Sequence, residues 1–352
     1  MIGCKPLEVA VLNVAIVGVG WAGTRHVEGI QELGEKIRVD CLVDRDAEHL
    51  DVLANELGVD KTYGDLAEAL RDEAVDAVSI ATPHAAHCEQ AVLAAEAGKH
   101  VMVEKPMALT VEEATRMVDA ADGAGVKLYV AESAVYTPMS AFLREMVQTG
   151  KYIGEVVAAS FSGGFRGPDY GYPGRRAWLA NLEMGGTGTW MLHGIHSMAQ
   201  LRYVLGEVET VYLQQHRAAS FRRTDVEGTM HGLLTMVDGF QVSVLQTCEV
   251  RFRGPLGGFE IHGDRGSVKA SSEGCQVFGE EVEEDVLHLD YPEFDLSSFA
   301  LEMKAFADYV IDDVEGPTSG VCERRSLAVV QAGYESAESG APVHLETRFG
   351  VL

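Results

Sequence analysis

Gly18-x-Gly20-x-x-Gly23 stands directly behind the apolar run Val14-Ala-Ile-Val17 and opens a stretch with helical apolar spacing. Three glycines placed this way strongly restrict the local fold. The first makes a tight turn, the second lets a pyrophosphate approach the backbone, and the third lets helix and strand pack closely. The helix end adds the positive pole of its dipole, which favours an anion. Asp44 closes the next apolar run, Val39-Asp-Cys-Leu-Val43, 21 residues after Gly23, where a carboxylate reaches ribose hydroxyls. A dinucleotide site built on Gly18, Gly20, Trp21, Ala22, Gly23 and Asp44 is therefore expected. Asp44 favours NAD because it repels a 2′-phosphate. Arg45 beside it leaves NADP open, because an arginine there holds that phosphate.

The rhythm of the first third supports this. Strand-like runs at 14–17, 39–43, 77–81, 100–103 and 127–131 alternate with helical patterns at 47–57, 86–97 and 111–121. Strands buried on both faces and separated by helices predict a doubly wound parallel α/β domain over residues 1–132. From 133 to 352 the pattern changes. A helix is expected near 139–149, a strand near 155–162, a Gly/Pro/Tyr-rich loop at 163–174 and a helix near 189–205. Longer runs at 208–216, 228–237, 240–249, 257–262 and 266–270 follow, punctuated by Asp238-Gly239 and Gly263-Asp264. They predict an α+β domain with a large, mostly antiparallel sheet, open on one face. Helices near 298–312 and 322–339 finish the chain, and the C-terminal one is expected to return to the first domain.

Composition removes other classes. A total of 352 residues exceeds what one core usually holds. With 54 Asp and Glu against 28 Lys and Arg, the net charge is −26, which disfavours nucleic acid and anionic membranes as partners. The six cysteines are scattered without a C-x-x-C pair, so they read as reduced thiols. The chain opens with no basic-then-apolar leader, and its longest apolar run falls short of a membrane span. A soluble, cytoplasmic protein is expected.

Ala81-Thr82-Pro83-His84-x-x-His87 ends the fourth strand, and Glu104-Lys105-Pro106 ends the fifth. With the glycine fingerprint, this set resembles the glucose–fructose oxidoreductase, inositol dehydrogenase and rhizopine-catabolism (Gfo/Idh/MocA) family. The likeness extends through Ala131-Glu132 to Tyr136-x-Pro138, Arg176-Ala-Trp178, Gly186-Thr-Gly188 to His196, and Gly320 to Val343. It implies a Rossmann domain and an NAD(P)-dependent oxidoreductase that acts on a secondary alcohol of a sugar, inositol or related polyol or cyclic diol. Lys105 then corresponds to the active-site lysine, with a cis peptide before Pro106, and His196 to the general base. Thr82, Pro83, His84, His87, Glu104 and Trp178 fall to the cofactor. Tyr136, Arg176 and His193 join Lys105 and His196 around the substrate. No metal is expected.

The sequence departs from the family at one point. Many relatives carry Asp four residues before this histidine, one helical turn away. Here the position is Leu192, so no carboxylate–histidine dyad exists at that spacing. Either Lys105 and His196 suffice, helped by His193, or the chemistry is modified. An oxidation–elimination glycoside hydrolase and a non-catalytic dinucleotide sensor on the same fold are the competing functions. Val211, Leu213, Leu233, Val242 and Val244 are expected to make sheet faces apolar, one of which would join copies into a homodimer or homotetramer.

Overall fold

The computed structural model describes residues 11–34, 36–164, 177–179, 181–185, 187–219, 225–250, 258–280, 282 and 286–352. The first part runs β1 (Leu12–Val17), α1 (Trp21–Leu33), β2 (Ile37–Val43), α2 (Ala47–Leu57), β3 (Thr62–Tyr63), α3 (Leu66–Leu70), β4 (Ala77–Ile80), α4 (His87–Glu96), β5 (His100–Glu104), α5 (Val111–Ala124) and β6 (Leu128–Ala131). The six strands are parallel, in the order β3-β2-β1-β4-β5-β6. Both faces of β1 are buried: Ala15 and Val17 join one apolar cluster, Val14 and Ile16 the other. Side chains set where the helices begin. Asp46 accepts from the His49 amide at the start of α2 and Thr110 from the Glu113 amide at the start of α5. Each such cap contributes about 1 kcal/mol.

The strand order reverses between β1 and β4, so a crevice opens at the carboxyl ends of the strands. Those ends carry Gly18, Asp44, Ala81 and Thr82, Glu104 and Lys105, and Glu132. The fold thus gathers residues spread over more than a hundred positions along one edge.

The second part contains α6 (Pro138–Thr149), β7 (Val156–Gly164), α7 (Thr189–Leu192), α8 (Gly194–Leu205), β8 (Val208–His216), β9 (Thr229–Met236), β10 (Gln241–Thr247), β11 (Gly258–Gly263), β12 (Gly266–Ser271), β13 (Gly274–Gly279), β14 (Leu287–Leu289), α9 (Ser298–Asp312), α10 (Gly320–Ser339), β15 (Val343–His344) and α11 (Leu345–Phe349). Nine strands form one sheet, β14-β13-β12-β11-β7-β10-β9-β8-β15, antiparallel except for the β7–β10 pair. Val211, Leu213, Val242 and Val244 are buried with α8 and α10 in one core. Leu233, 42% exposed, pairs across the sheet with Tyr212 and Ser243 on the other face. Four of the five apolar residues expected to make the sheet faces apolar therefore serve the core, and Leu233 alone is exposed.

Helix α9 returns to the first part, where the sequence marks only the C-terminal helix. Met303, Phe306 and Ala307 enter the cluster that holds Leu12, Val14 and Ile16. Gly29 lets α1 and α9 approach, since a Cβ there would sit 3.0 Å from the Phe299 backbone. Lys36 bonds Asp308 and Asp312 at the rim, at 3.0 and 2.7 Å. The final long helix, α10, also returns to the first part, packing on α5 and β6 as well as on β8 and α8.

Candidate active site

At the glycine turn, Gly18 has φ +86°, and a Cβ there would meet the Ala81 carbonyl at 2.8 Å. A Cβ at Gly23 would lie 2.2 Å from the Gly18 oxygen. Gly20 is different, with open space around it. It begins α1 with no side-chain cap and no acidic residue in the first turn. Amides open to a cleft and not countered by a carboxylate fit a pyrophosphate. Asp44 accepts from the Val19 amide (3.1 Å) and the Asp46 amide (3.0 Å), which fixes its carboxylate at the end of β2.

A cleft of about 1040 Å³ runs from this turn across the strand ends to α7 and α8. Trp21, Ala22, Arg45, Thr82, Pro83, Trp178 and His193 line it. His84 lines it too. Its ring stands edge-on to Trp178, with centroids 4.7 Å apart, and its Nδ1 lies 2.8 Å from the Gly185 carbonyl. Burial, then the charges of His87 and Lys105, holds this imidazole well below its ordinary pKa, so it is neutral. His84 thus joins the loop after β4 to the second part of the chain.

Two expected site residues lie elsewhere. His87 is fully buried outside the cleft, its ring nitrogens 2.9 Å from the carbonyls of Pro106 and Thr82. It braces the backbone that presents Lys105. The Tyr136 hydroxyl faces that of Tyr129 at 2.5 Å, inside the domain junction, because the turn after β6 points it inward. Arg176 and residues 165–174 of the Gly/Pro/Tyr-rich loop lie outside the described residues.

The chemistry concentrates at the ends of β5 and β6. The Lys105–Pro106 peptide is cis. Lys105 Nζ donates to the carbonyl of Leu192 at 3.3 Å, so the position that lacks a carboxylate contributes its backbone instead. Glu104 accepts from the Lys105 amide (3.0 Å) and faces His26 Nε2 (3.1 Å), while His26 Nδ1 lies 2.8 Å from Ser79 Oγ. Burial pushes the Glu104 carboxyl up, but the His26 bond and the Lys105 charge outweigh it and hold the group below its ordinary value.

His196 Nδ1 lies 2.5 Å from Glu132 Oε1, which also accepts from the Ala134 amide at 3.0 Å. Glu132 is fully buried, and burial raises its carboxyl to about 7 against the Lys105 charge. Burial and the same lysine hold His196 well below its ordinary value. A carboxylate–histidine pair is present after all, with the carboxylate supplied from the end of β6. His193 shares the face, its ring centroid 6.2 Å from that of His196.

Comparison with known proteins agrees with this fold. Residues 12–132 match the model described as the oxidoreductase family with an NAD-binding Rossmann fold, and residues 141–269 match the GFO/IDH/MocA C-terminal domain. The chain belongs to the Gfo/Idh/MocA family. It is an NAD(P)-dependent oxidoreductase. A D-xylose 1-dehydrogenase (NADP+) of Haloferax volcanii is 27% identical over 94% of this chain and 99% of that protein. A levoglucosan dehydrogenase of Pseudarthrobacter phenanthrenivorans is 27% identical over 73% of each. Among solved structures, a levoglucosan dehydrogenase with NADH and levoglucosan superposes with TM-score 0.85 at 22% identity, over 95% of this chain and 99% of that one.

Within this family member, sequence reasoning passed over two residues that the site uses. Glu132 stood in the junction motif without a role, though a carboxylate just past the sixth strand is adjacent to the fifth: the register pairs Glu104 with Ala131. His26 comes three residues after Gly23, one helical turn along the inner face of α1, where Ser79 and Glu104 lie.

Proposed function

We propose that this oxidoreductase removes a hydride from a secondary alcohol of a sugar, inositol or related polyol, with NAD as the preferred acceptor. The observation that carries the reading is His196, held by buried Glu132 beside Lys105 in the cleft that begins at the glycine turn. With Glu132 ionised, its Oε1 accepts the Nδ1 proton of His196 and leaves Nε2 as the free lone pair. A neutral imidazole of this tautomer takes the hydroxyl proton. The Lys105 ammonium stabilises the alkoxide as it forms. Glu132 is a positioning residue that fixes the tautomer and offsets the imidazolium charge. When bound, the dinucleotide supplies the hydride acceptor. Gly18, Gly20, Trp21, Ala22, Asp44, Thr82, Pro83 and Trp178 would hold it, and His193 would meet the substrate beside Lys105. The sugar and polyol relatives support the substrate class.

NAD preference rests on charge. Asp44, Asp46 and Asp65 all line the adenosine end of the cleft, where Arg45 is the cation among the lining residues. Residues 1–132 with α9 form the cofactor domain in this reading, and the rest of 133–352 the substrate domain. The sheet face bearing Leu233 and Tyr212 joins copies into a dimer or tetramer, and the enzyme works in the cytoplasm. Monomer mass by light scattering at micromolar concentration would overturn the assembly.

The deciding experiment is a screen of sugars and inositols with NAD+ and NADP+, read by nicotinamide absorbance, with His196→Ala as control. Turnover that the variant loses supports the proposal. Cleavage of a glycoside without net cofactor reduction, or equal turnover by the variant, would overturn it.

A further inference from the structure

Three polar side chains form a chain of hydrogen bonds through the apolar interior of the first part. Val27 and Ile30 on α1 and Val78 and Ile80 on β4 are buried, as an apolar core requires, yet His26 and Ser79 between them are fully buried too. His26 Nδ1 lies 2.8 Å from Ser79 Oγ, and its Nε2 lies 3.1 Å from Glu104 Oε1. The other carboxylate oxygen, Oε2, accepts from the Lys105 amide at 3.0 Å. Glu104 lines the cleft, whereas His26 and Ser79 stand behind it. An imidazole, a hydroxyl and a carboxylate cost more to bury than apolar side chains of the same size, unless each is partnered. Here each is partnered, and the chain ends on the lysine whose ammonium meets the reacting oxygen.

The roles in the chain follow from the carboxylate. An ionised Glu104 only accepts, so His26 carries its proton on Nε2 and its Nδ1 accepts from the Ser79 hydroxyl. Loss of that Nε2–H would leave burial, the largest influence on Glu104, opposed by the Lys105 and His196 charges alone. The other groups that face Glu104 are His87 from α4, Glu132 from the end of β6 and Glu302 from α9. Glu104 acts on the base in turn. Its charge raises the proton affinity of His196, against burial and Lys105. A neutral Glu104 would weaken that base. His26 sits three residues after Gly23, so the helix whose first turn faces the pyrophosphate also reaches the reacting groups.

We propose that His26 is a positioning residue for the reaction: from the dinucleotide helix it fixes the Glu104 carboxylate, and through it the Lys105 backbone and the charge that faces His196. The proposal rests on the reading of Lys105 as the cation and His196 as the base. No proton passes through His26. The hydroxyl proton goes to His196 Nε2, while His26 keeps its own proton on the bond to Glu104 throughout. Ser79 holds the ring in the tautomer that makes this bond.

His26→Leu fills the space without a donor, and His26→Gln keeps an amide N–H for Glu104. In the Leu variant Glu104 ionises at higher pH, so the acid limb of kcat should move up by about one pH unit or more. With the alcohol found by the screen above, kcat should fall about tenfold or more near pH 6.5 and largely recover near pH 9. KM and dinucleotide Kd should stay within about threefold, and His26→Gln should bring the limb back toward the wild type. A Leu variant that keeps the wild-type profile, or loses kcat by one factor at every pH, would overturn the role. Should that variant fail to fold, nitrogen-15 spectra of the wild-type histidines decide: a proton on His26 Nε2 alone supports the role, and a proton on Nδ1 overturns it. Full turnover by Lys105→Ala would overturn the reading of the site, and this role with it. An inactive Lys105→Ala beside an unchanged His26→Leu overturns the positioning role alone.

Discussion

At the scale of single residues, Lys105 and Glu132 divide the work and predict different failures. Lys105→Ala removes the cation from the reacting oxygen and leaves the glycine turn intact. Turnover should fall about a hundredfold or more while calorimetry gives dinucleotide Kd within about threefold. Unchanged turnover would sink the catalytic role. Glu132→Gln acts through the tautomer. An amide NH₂ facing His196 Nδ1 donates to it, which moves the imidazole proton to Nε2, where the substrate needs a lone pair. Loss of about 10²–10⁴ in kcat with little change in KM is expected. A variant that lost binding and turnover in proportion would show Glu132 to be merely structural. Cofactor choice is also a residue matter. Asp44→Ala should narrow the NAD+ over NADP+ preference about tenfold or more, since like charge against a phosphate costs several kcal/mol. An unaltered ratio of the two Kd values would move the discrimination to another group.

At the scale of elements, α7 is held from behind. Glu227 Oε1 accepts from the Trp190 amide (2.7 Å) and from the Tyr334 hydroxyl (3.1 Å), and that hydroxyl accepts from the Met191 amide (3.1 Å). Gly188 leaves room for this clamp, since a Cβ there would sit 1.9 Å from a Glu227 oxygen. The same short helix ends at the Leu192 carbonyl that receives Lys105. Tyr334→Phe should therefore cost about 1–2 kcal/mol, read as a melting point lower by about 2–4 °C per kcal/mol, and lower kcat several-fold without altering dinucleotide Kd. A melting point that falls while kcat stays constant would separate the clamp from the site. Elements such as α2, α9 and β8 were legible to the residue in the sequence, because apolar periodicity marks all three and a capping side chain, Asp46 or Ser297, precedes each helix. The two-residue strands β3 and β15 were not, since so short a run carries no period and exists only because a neighbouring strand pairs with it. The single expected helix 189–205 is broken at His193, where the φ of −121° leaves helical geometry.

For the molecule as a whole, the motifs disclosed the crevice because each lies at a strand end. The partnership of Glu132 with His196 spans 64 positions, and no local pattern records it. Burial of charge at the junction of the two sheets has a global consequence as well. Glu323 on α10 is raised to about 8 by burial and by Glu132, against Arg202, and Glu132 itself to about 7. Carboxyls whose folded pKa lies above the unfolded value of about 4.3 stabilise fully below that value, and the contribution is lost as pH rises through the folded pKa. His84 and His196 work in the opposite sense. Depressed in the fold, they stabilise above about 6.5 and lose that contribution as pH falls. Below about pH 6.5 the two trends offset each other. Above it only the carboxyls act, each removing about 1.4 kcal/mol per pH unit until it ionises in the fold. Glu302, pushed well above its ordinary value by burial, adds to the same slope, so stability of the dinucleotide-free protein should fall by about 3–6 kcal/mol between about pH 6.5 and about pH 8.5. Urea unfolding across that range measures it. Glu323→Gln cannot ionise and should remove about one group's share of the slope. A flat profile, or a slope that Glu323→Gln leaves unchanged, would mean that these acids are charged in the native core.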